Sequence, residues 1–448
     1  MLNEQTLRDL AQTVLLASRA DETEVVLLAT HARLTRFANN EIHQNVAEHN
    51  LEARIRVVKG GRVGVAISNS ADRDALLKTL EQAEALAANT PPVPDWPGLP
   101  HDTRPTPETE TWSEATASAT PERRADLVGD VCRTADAAGH VASGALETNT
   151  QALYIANSHG VERYVPRTVA SFVTVVMSDT GSGYAAGAHR DLNAIPVADL
   201  GREAVETATR SRNPIDLEPG VYDVVLDTYA MADILSFVCS LGFGGQAYAE
   251  GRSFVSGKLG EQVLGENITI IDDGLSPDGL PLPVDFEGVV RQRLPLVEHG
   301  VARAVAWDSR WAARAGTEST GHALPAPNWW GPVPLHPHLA AGETPRSELV
   351  RHVERGIYVT RFNYTRTVNP GRVIVTGLTR DGTFLIENGE IVAPIKNLRF
   401  TQSYVEALQN VVALSRERRI LASFGTVGAM KVPAAVIRNF TFTGKTQF

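Results

Sequence analysis

The sequence has only two cysteines in 448 residues, Cys132 and Cys239, which rules out a disulfide framework or a thiolate zinc cluster and predicts reduced structural thiols. No apolar run approaches the roughly 20 residues of a membrane-spanning helix, so no membrane partner is expected. The N-terminus, MLNEQTLRDLAQTVLLASRA, reads as an amphipathic helix without the basic start and cleavage site of a signal peptide, which points to the cytoplasm. Basic clusters are missing too. Lys and Arg number 42 against 52 Asp and Glu, a net charge of −10, which argues against nucleic acid as a partner. There is no Gly-x4-Gly-Lys-Ser/Thr phosphate loop and no dinucleotide fingerprint after a strand. Gly181-Ser182-Gly183 is too short for a nucleophile elbow.

The chain is long enough for two or three domains with proper cores. Residues 1–90 give a helix, a strand meander and a second helix. Residues 91–112 carry Pro91, Pro92, Pro94, Pro97, Pro100, Pro105 and Pro107 and read as an extended linker. Residues 113–215 repeat the order helix, strands, helix, starting from Thr120 as N-cap and Pro121 at the first helical position. The repeat implies an internal duplication or one mixed sheet built from both halves. Residues 216–448 read as mostly β, with Asp381-Gly382 and Asn388-Gly389 as hairpin turns and helices at Arg346–Arg355 and Ser403–Leu414. Gly288–Arg293 reads as a strand. The fold class expected is α+β: an N-terminal α/β part with an antiparallel sheet and flanking helices, then a C-terminal mostly-β domain with a few packed helices.

The chemistry-bearing candidates are few. Gly220–Asp227 reads as a strand feeding an apolar helix, Thr228–Leu241, which carries no charge after Asp233 and ends in glycines. It offers Ser236, Cys239 and Ser240, and reads first as a core helix whose small polar residues bond their own backbone. As a nucleophile Cys239 is poorly placed, because Phe237 and Val238 would raise its thiol pKa. His336 and His338 flank Pro337 on an extended segment, so both imidazoles can face one side; without a third ligand they read as a solvent-exposed turn. Asp272, Asp273, Asp278, Asp285 and Glu287 lack calcium-loop spacing and read as a solvated turn. The proline-rich stretch 321–346, with Trp329-Trp330, reads as a functional or mobile loop, and the tryptophans as a binding loop.

Several stretches resemble one family: FANNEIHQNVAEHNLEARIRVVKGGRVGVAISN (37–69), SFVSGKLGEQV (253–263), PLPVDFEGVVRQRLPLVEHGV (281–301), GTESTGHA (316–323), GIYVTR (356–361), FLIENGEIVAPIKNLRF (384–400) and RNFTFTG (438–444). In this order they are similar to the TldD/PmbA family, whose PmbA branch is also called TldE. The resemblance implies a cytoplasmic pair in which the TldD-type subunit is a zinc peptidase for unfolded or leader peptides, with ligands from a His-Glu-x-x-x-His helix and a later cysteine. Setting the Ser256-Gly257-Lys258 block in register puts Ser236, Phe237 and Leu241 on the three motif positions, and no cysteine follows Cys239. The implied protein is a PmbA/TldE-like subunit without its own zinc or other cofactor, forming a homodimer, or a heterodimer with a TldD-type peptidase, and contacting peptide substrate. Two other readings stay open: a hydrolase with a relocated site using Cys239, His336 or His338, and a peptide-binding module built on Trp329 and Trp330.

Overall fold

The computed structural model describes residues 2–446. Helix α1 (Glu4–Ala17) is capped by Asn3, whose side chain accepts from the Thr6 N–H, and buries Leu7, Ala11 and Val14. Strands β1 (Glu22–Ala38), β2 (Glu41–Lys59) and β3 (Arg62–Ser68) follow, then helix α2 (Arg73–Asn89). The second half opens on the single turn α3 (Glu114–Ala117). Next come α4 (Pro121–Ala137), β4 (Val141–Asn157), β5 (Glu162–Met177), β6 (Ser182–His189) and α5 (Val197–Arg210). Thr120 caps α4 by accepting from the Arg123 N–H, as the Thr-Pro start predicts.

Both halves build one six-stranded sheet in the order β3-β2-β1-β4-β5-β6. Every pairing is antiparallel, so the sheet is shared as one of the two expectations had it, but it is not mixed. Strands β1 and β2 are also longer than the alternating apolar pattern suggests. Their pairing runs unbroken from Glu22↔Val58 to Arg36↔Gln44, through positions where burial stops and polar residues take over. A reading based on burial cuts a strand where it leaves the core.

The two halves repeat a close contact. Gly64 in β3 lies under α2, where an added Cβ would stand 2.0 Å from the Ala83 carbonyl oxygen and 2.5 Å from the Ala87 nitrogen. Gly183 in β6 lies under α5 in the same way, 2.0 Å from the Ala204 oxygen and 2.8 Å from the Ala208 nitrogen. Backbone cannot step aside as a flexible side chain can, so Gly183→Ala should destabilise the chain by about 1–3 kcal/mol through overpacking. Thermal unfolding followed by circular dichroism checks this; an unchanged melting temperature would contradict the contact.

The C-terminal region begins with β7 (Val221–Leu226), α6 (Thr228–Gly242) and α7 (Gly245–Ala249). Strands β8 (Ile270–Asp272), β9 (Leu294–Glu298) and β10 (Val301–Ala302), helix α8 (Ser309–Ala315) and strand β11 (Pro337–Leu339) follow. The long strands come last: β12 (Arg355–Asn369), β13 (Ile374–Glu387), β14 (Glu390–Pro394), β15 (Leu398–Ser403), β16 (Val411–Ser423) and β17 (Gly428–Lys445), with α9 (Tyr404–Gln409) between β15 and β16. Strands β7, β12, β13, β15 and β17 pair around a closed ring. The main core joins Met231, Ile234, Leu235 and Val238 of α6 to Val224, Ile357, Phe400 and Phe440 of these strands.

Four local expectations are corrected. Asn388-Gly389 does turn between β13 and β14, but Asp381-Gly382 does not end a strand. Both residues have positive φ and make a bulge inside β13, because the Asp381 carboxylate is held by Arg361 and Ser182 instead of closing a turn. The helix at Ser403 stops at Gln409, and β16 begins at Val411. The chain over 288–293 is not a strand: Asp285 Oδ1 accepts from the Glu287 and Val289 N–H groups and bends it. Arg346–His352 is a 3-10 turn and not an α-helix. The proline-rich segment 91–112 is extended and pinned, with Trp96 Nε1 donating to Glu22 and Thr109 donating to the Leu275 carbonyl. Among the described residues no helix is long and apolar enough to cross a membrane.

Candidate functional site

Helix α6 presents two faces. Met231, Ile234, Leu235, Val238 and Cys239 are buried, while Asp233, Ser236, Phe237, Ser240 and Leu241 share a half-buried face at helical spacing. The Phe237 ring stands edge-on to Tyr404, 5.9 Å between centroids. Asp233 accepts from the Tyr404 hydroxyl at 2.6 Å and from Thr365 Oγ1 at 2.8 Å. Ser236, Phe237 and Leu241 on this face are the three positions that the resemblance expects on the zinc motif. A hydroxyl, a phenyl ring and an isobutyl group supply neither imidazole nor carboxylate, so the donor set does not fit zinc. Among the described residues no group of three or more His, Cys, Asp or Glu side chains is placed to hold a metal ion.

Burial raises the Asp233 carboxyl to about 6, against the opposing bonds from Tyr404 and Thr365. A raised folded-state value means that the folded chain binds this proton more tightly than the unfolded one. Stability therefore falls as pH rises from about 4 toward 6. Asp233→Asn should remove that slope and stabilise the chain at pH 7.5 by on the order of 1–3 kcal/mol; melting temperatures of both proteins across pH 4–8 check it.

The N-terminus of the same helix is held by a partly buried ion network centred on the buried Asp227. Asp227 caps α6 through the Thr228 N–H. Its Oδ2 accepts from Arg346 and from the Tyr358 hydroxyl, each at 2.5 Å. Arg346 also meets Glu203 of α5 at 3.4 Å, and Arg419 of β16 reaches Glu203 at 2.7 Å and Thr228 Oγ1 at 3.2 Å. This network, which the sequence did not suggest, links the N-terminal sheet's helix layer to the ring of strands.

Cys239 is buried, and burial lifts its thiol well above its ordinary value, as its apolar neighbours predict. His336, Asp272, Asp285 and Glu287 do not lie on a solvated turn, whereas Asp278 is exposed on a bend and Asp273 is partly buried. His336, Asp272 and His322 are fully or almost fully buried together. The His336 N–H donates to Asp272 Oδ2, its Nε2 pairs with the Leu280 carbonyl, and its Nδ1 stands 4.0 Å from Asp272 Oδ1. His322 Nε2 stands 3.5 Å from the same oxygen. Burial and the nearby Arg291 lower His336 to about 3, so the imidazole is neutral at ordinary pH. His338 is half-buried and lowered to about 4, by burial and then by Lys431. No hydrogen bond joins Cys239 to His336 or His338 among the described residues.

Asp285 is also sealed. Its oxygens accept from Glu287, Val289 and Ala323 N–H groups, and burial together with Glu287 raises it to about 8. The alternation of acidic and apolar residues in Val284-Asp285-Phe286-Glu287-Gly288-Val289 would set the carboxylates on a solvent face, so nothing in the sequence shows that both kinds are buried. Stretch 321–346 is largely packed, with Val333, Leu335 and His336 buried. Its tip is exposed, with Trp329 at 76% and Trp330 at 65%.

Three family models match the chain: PmbA/TldA metallopeptidase domain 1 over 23–87, the central domain over 114–212 and the C-terminal domain over 219–444. A protein named "Metalloprotease" from Methanothermobacter thermautotrophicus is 25% identical over 398 residues, 85% of each chain. A "Metalloprotease TldD homolog" from Buchnera aphidicola is 26% identical over 231 residues, 51% of this chain and 47% of that protein. The crystal structure of TldE from Thermococcus kodakarensis superposes with a TM-score of 0.87 at 22% identity, covering 98% of this chain and all of that one, which is a likeness of fold.

Proposed function

The chain belongs to the PmbA/TldA metallopeptidase family, and from that premise we propose that it is a PmbA/TldE-like subunit that completes a TldD-type zinc peptidase acting on unfolded or leader peptides. The observation that carries this reading is the half-buried face of α6. Where a catalytic subunit needs two imidazoles and a carboxylate, Ser236, Phe237 and Leu241 stand, and Phe237 is packed on Tyr404. A metal-activated water needs three protein ligands, an open position and a base. Those three side chains supply neither ligand nor base, and the face serves as a rigid wall.

In this reading the helix keeps its place in the fold and its chemistry comes from the partner. The outer edge of β2 over residues 41–50 is exposed and is not covered by β3, which pairs only from Ala53 onward, so it offers backbone groups to a second subunit.

Reconstitution tests the proposal. The purified chain alone should leave an unfolded peptide intact, while mixing it with a TldD-type chain should produce chelator-sensitive cleavage and co-elution of the two. Chelator-sensitive cleavage by the chain alone would overturn it.

A further inference from the structure

Two buried carboxylates meet at the seam where the C-terminal region closes on the N-terminal sheet. Glu287 pairs with Arg56 of β2 at 3.1 Å, and the same guanidinium pairs with Glu24 of β1 at 2.6 Å. Asp308 lies beside Glu287. The Ser309 N–H that follows it donates to Glu287 Oε2 at 3.1 Å, and both acids line one cavity of about 320 Å³. We propose that Asp308 is a proton-operated latch of this seam: neutral, it lets α8 and the 285–291 segment stay closed against β2, and ionised, it loosens them.

The geometry singles out Asp308 as the acid without a base. It is only 8% exposed, and its Oδ1 caps α8 by accepting from the Trp311 N–H at 2.7 Å. No ion pair reaches it among the described residues. Arg56 is taken by Glu24 and Glu287, and Arg310 lies 5.7 Å over the Trp311 ring. These two arginines and two acids are the charged lining of the cavity; the residues from β3, α2, the 91–112 segment and the 321–346 stretch carry no charge. Behind the lining, Asp285 is a further buried carboxylate that acts on Glu287, and Arg314 lies 5.2 Å over Trp311.

A buried acid with no base, set next to an acid that has one, is easier to keep neutral than charged. Burial first and Glu287 second raise the Asp308 carboxyl to about 7, against the Trp311 N–H, Arg56 and Arg310. In an opened seam it returns to the ordinary value of about 4. The closed form therefore holds the proton more tightly. Closure is strongest below pH 4, weakens as pH rises, and stops weakening once the pH passes about 7. Asp285 titrates in the same direction, so substitution at Asp308 is needed to isolate its share. None of these residues lies on the half-buried face of α6, and the latch stands whether or not the chain works beside a zinc subunit.

Hydrogen exchange of the full chain, read by mass spectrometry over residues 305–316 and corrected for the intrinsic pH dependence of exchange, tests this. Protection should fall by about fiftyfold between pH 5 and pH 7.5, the size set by one carboxyl that moves from about 7 to about 4 on opening. Asp308→Asn keeps the Oδ1 acceptor and cannot ionise, and should cut that fall to under tenfold. Glu287→Gln removes the neighbouring charge, and should keep the fall but move its midpoint at least half a pH unit lower; this second variant decides the matter should the first fail to fold. The same pH dependence in the wild type and Asp308→Asn, an unmoved midpoint in Glu287→Gln, or wild-type protection that does not change over this range would overturn the proposal.

Discussion

Asp227→Ala should cost about 3–5 kcal/mol of stability, the scale for removing one partner of a buried ion pair. The carboxylate caps α6, and its loss frees the Thr228 N–H. The same change strips Arg346 of its nearest anion and leaves the Tyr358 hydroxyl without its acceptor. Glu203, at 3.4 Å from Arg346 and already engaged by Arg419, is a poor substitute. Burial would raise the Asp227 carboxyl, but Arg346, Tyr358 and the Thr228 N–H hold it below its usual value. Its contribution is therefore present above the unfolded-state pKa of about 4 and is lost as pH falls through the lower folded value. Urea unfolding at pH 7.5 should show the full difference, and the two proteins should converge in acid. Equal midpoints at pH 7.5 would remove the network from the account of what joins α5 to the ring of strands.

Arg56→Ala should be as damaging, by about 3–5 kcal/mol, for the opposite reason: it leaves acids without a base. Glu24 faces Arg56 across the β1–β2 pairing, and Glu287 reaches the same guanidinium from the C-terminal region. Burial pushes the Glu24 carboxyl up, Arg56 pulls it down and Glu287 pushes it up again. Without the arginine, Glu24 relieves that by taking up a proton, so the loss should be larger at pH 8 than at pH 5. Denaturation of the variant at both values measures it, and a loss independent of pH would mean that Arg56 acts through packing alone.

The architecture was legible because its signals are local. The Thr120-Pro121 cap, the Asn388-Gly389 turn and the apolar periodicity of α6 each need only neighbours in sequence. The signals that misled had distant partners. Asp381-Gly382 looks like a hairpin until Arg361 and Ser182 claim the carboxylate. Asp272 and His336 look solvated because the residues that bury them are scattered along the chain, and nothing in a sequence of prolines and histidines announces it. On the candidate site, the rise in the Cys239 thiol followed from Phe237 and Val238, whereas Asp227, Arg346 and Glu203 come from three separate segments and could be joined only in space.

The twin glycines beneath α2 and α5 have one more implication. Gly64 under Ala83 and Ala87, and Gly183 under Ala204 and Ala208, are the same joint built twice, and the halves that own them meet along the antiparallel β1–β4 seam. Such a seam is the geometry by which two identical protomers meet about a dyad. The N-terminal region thus has the form of a fused homodimer, and fragments ending and starting within 91–112 should find each other and reassemble when expressed as separate polypeptides.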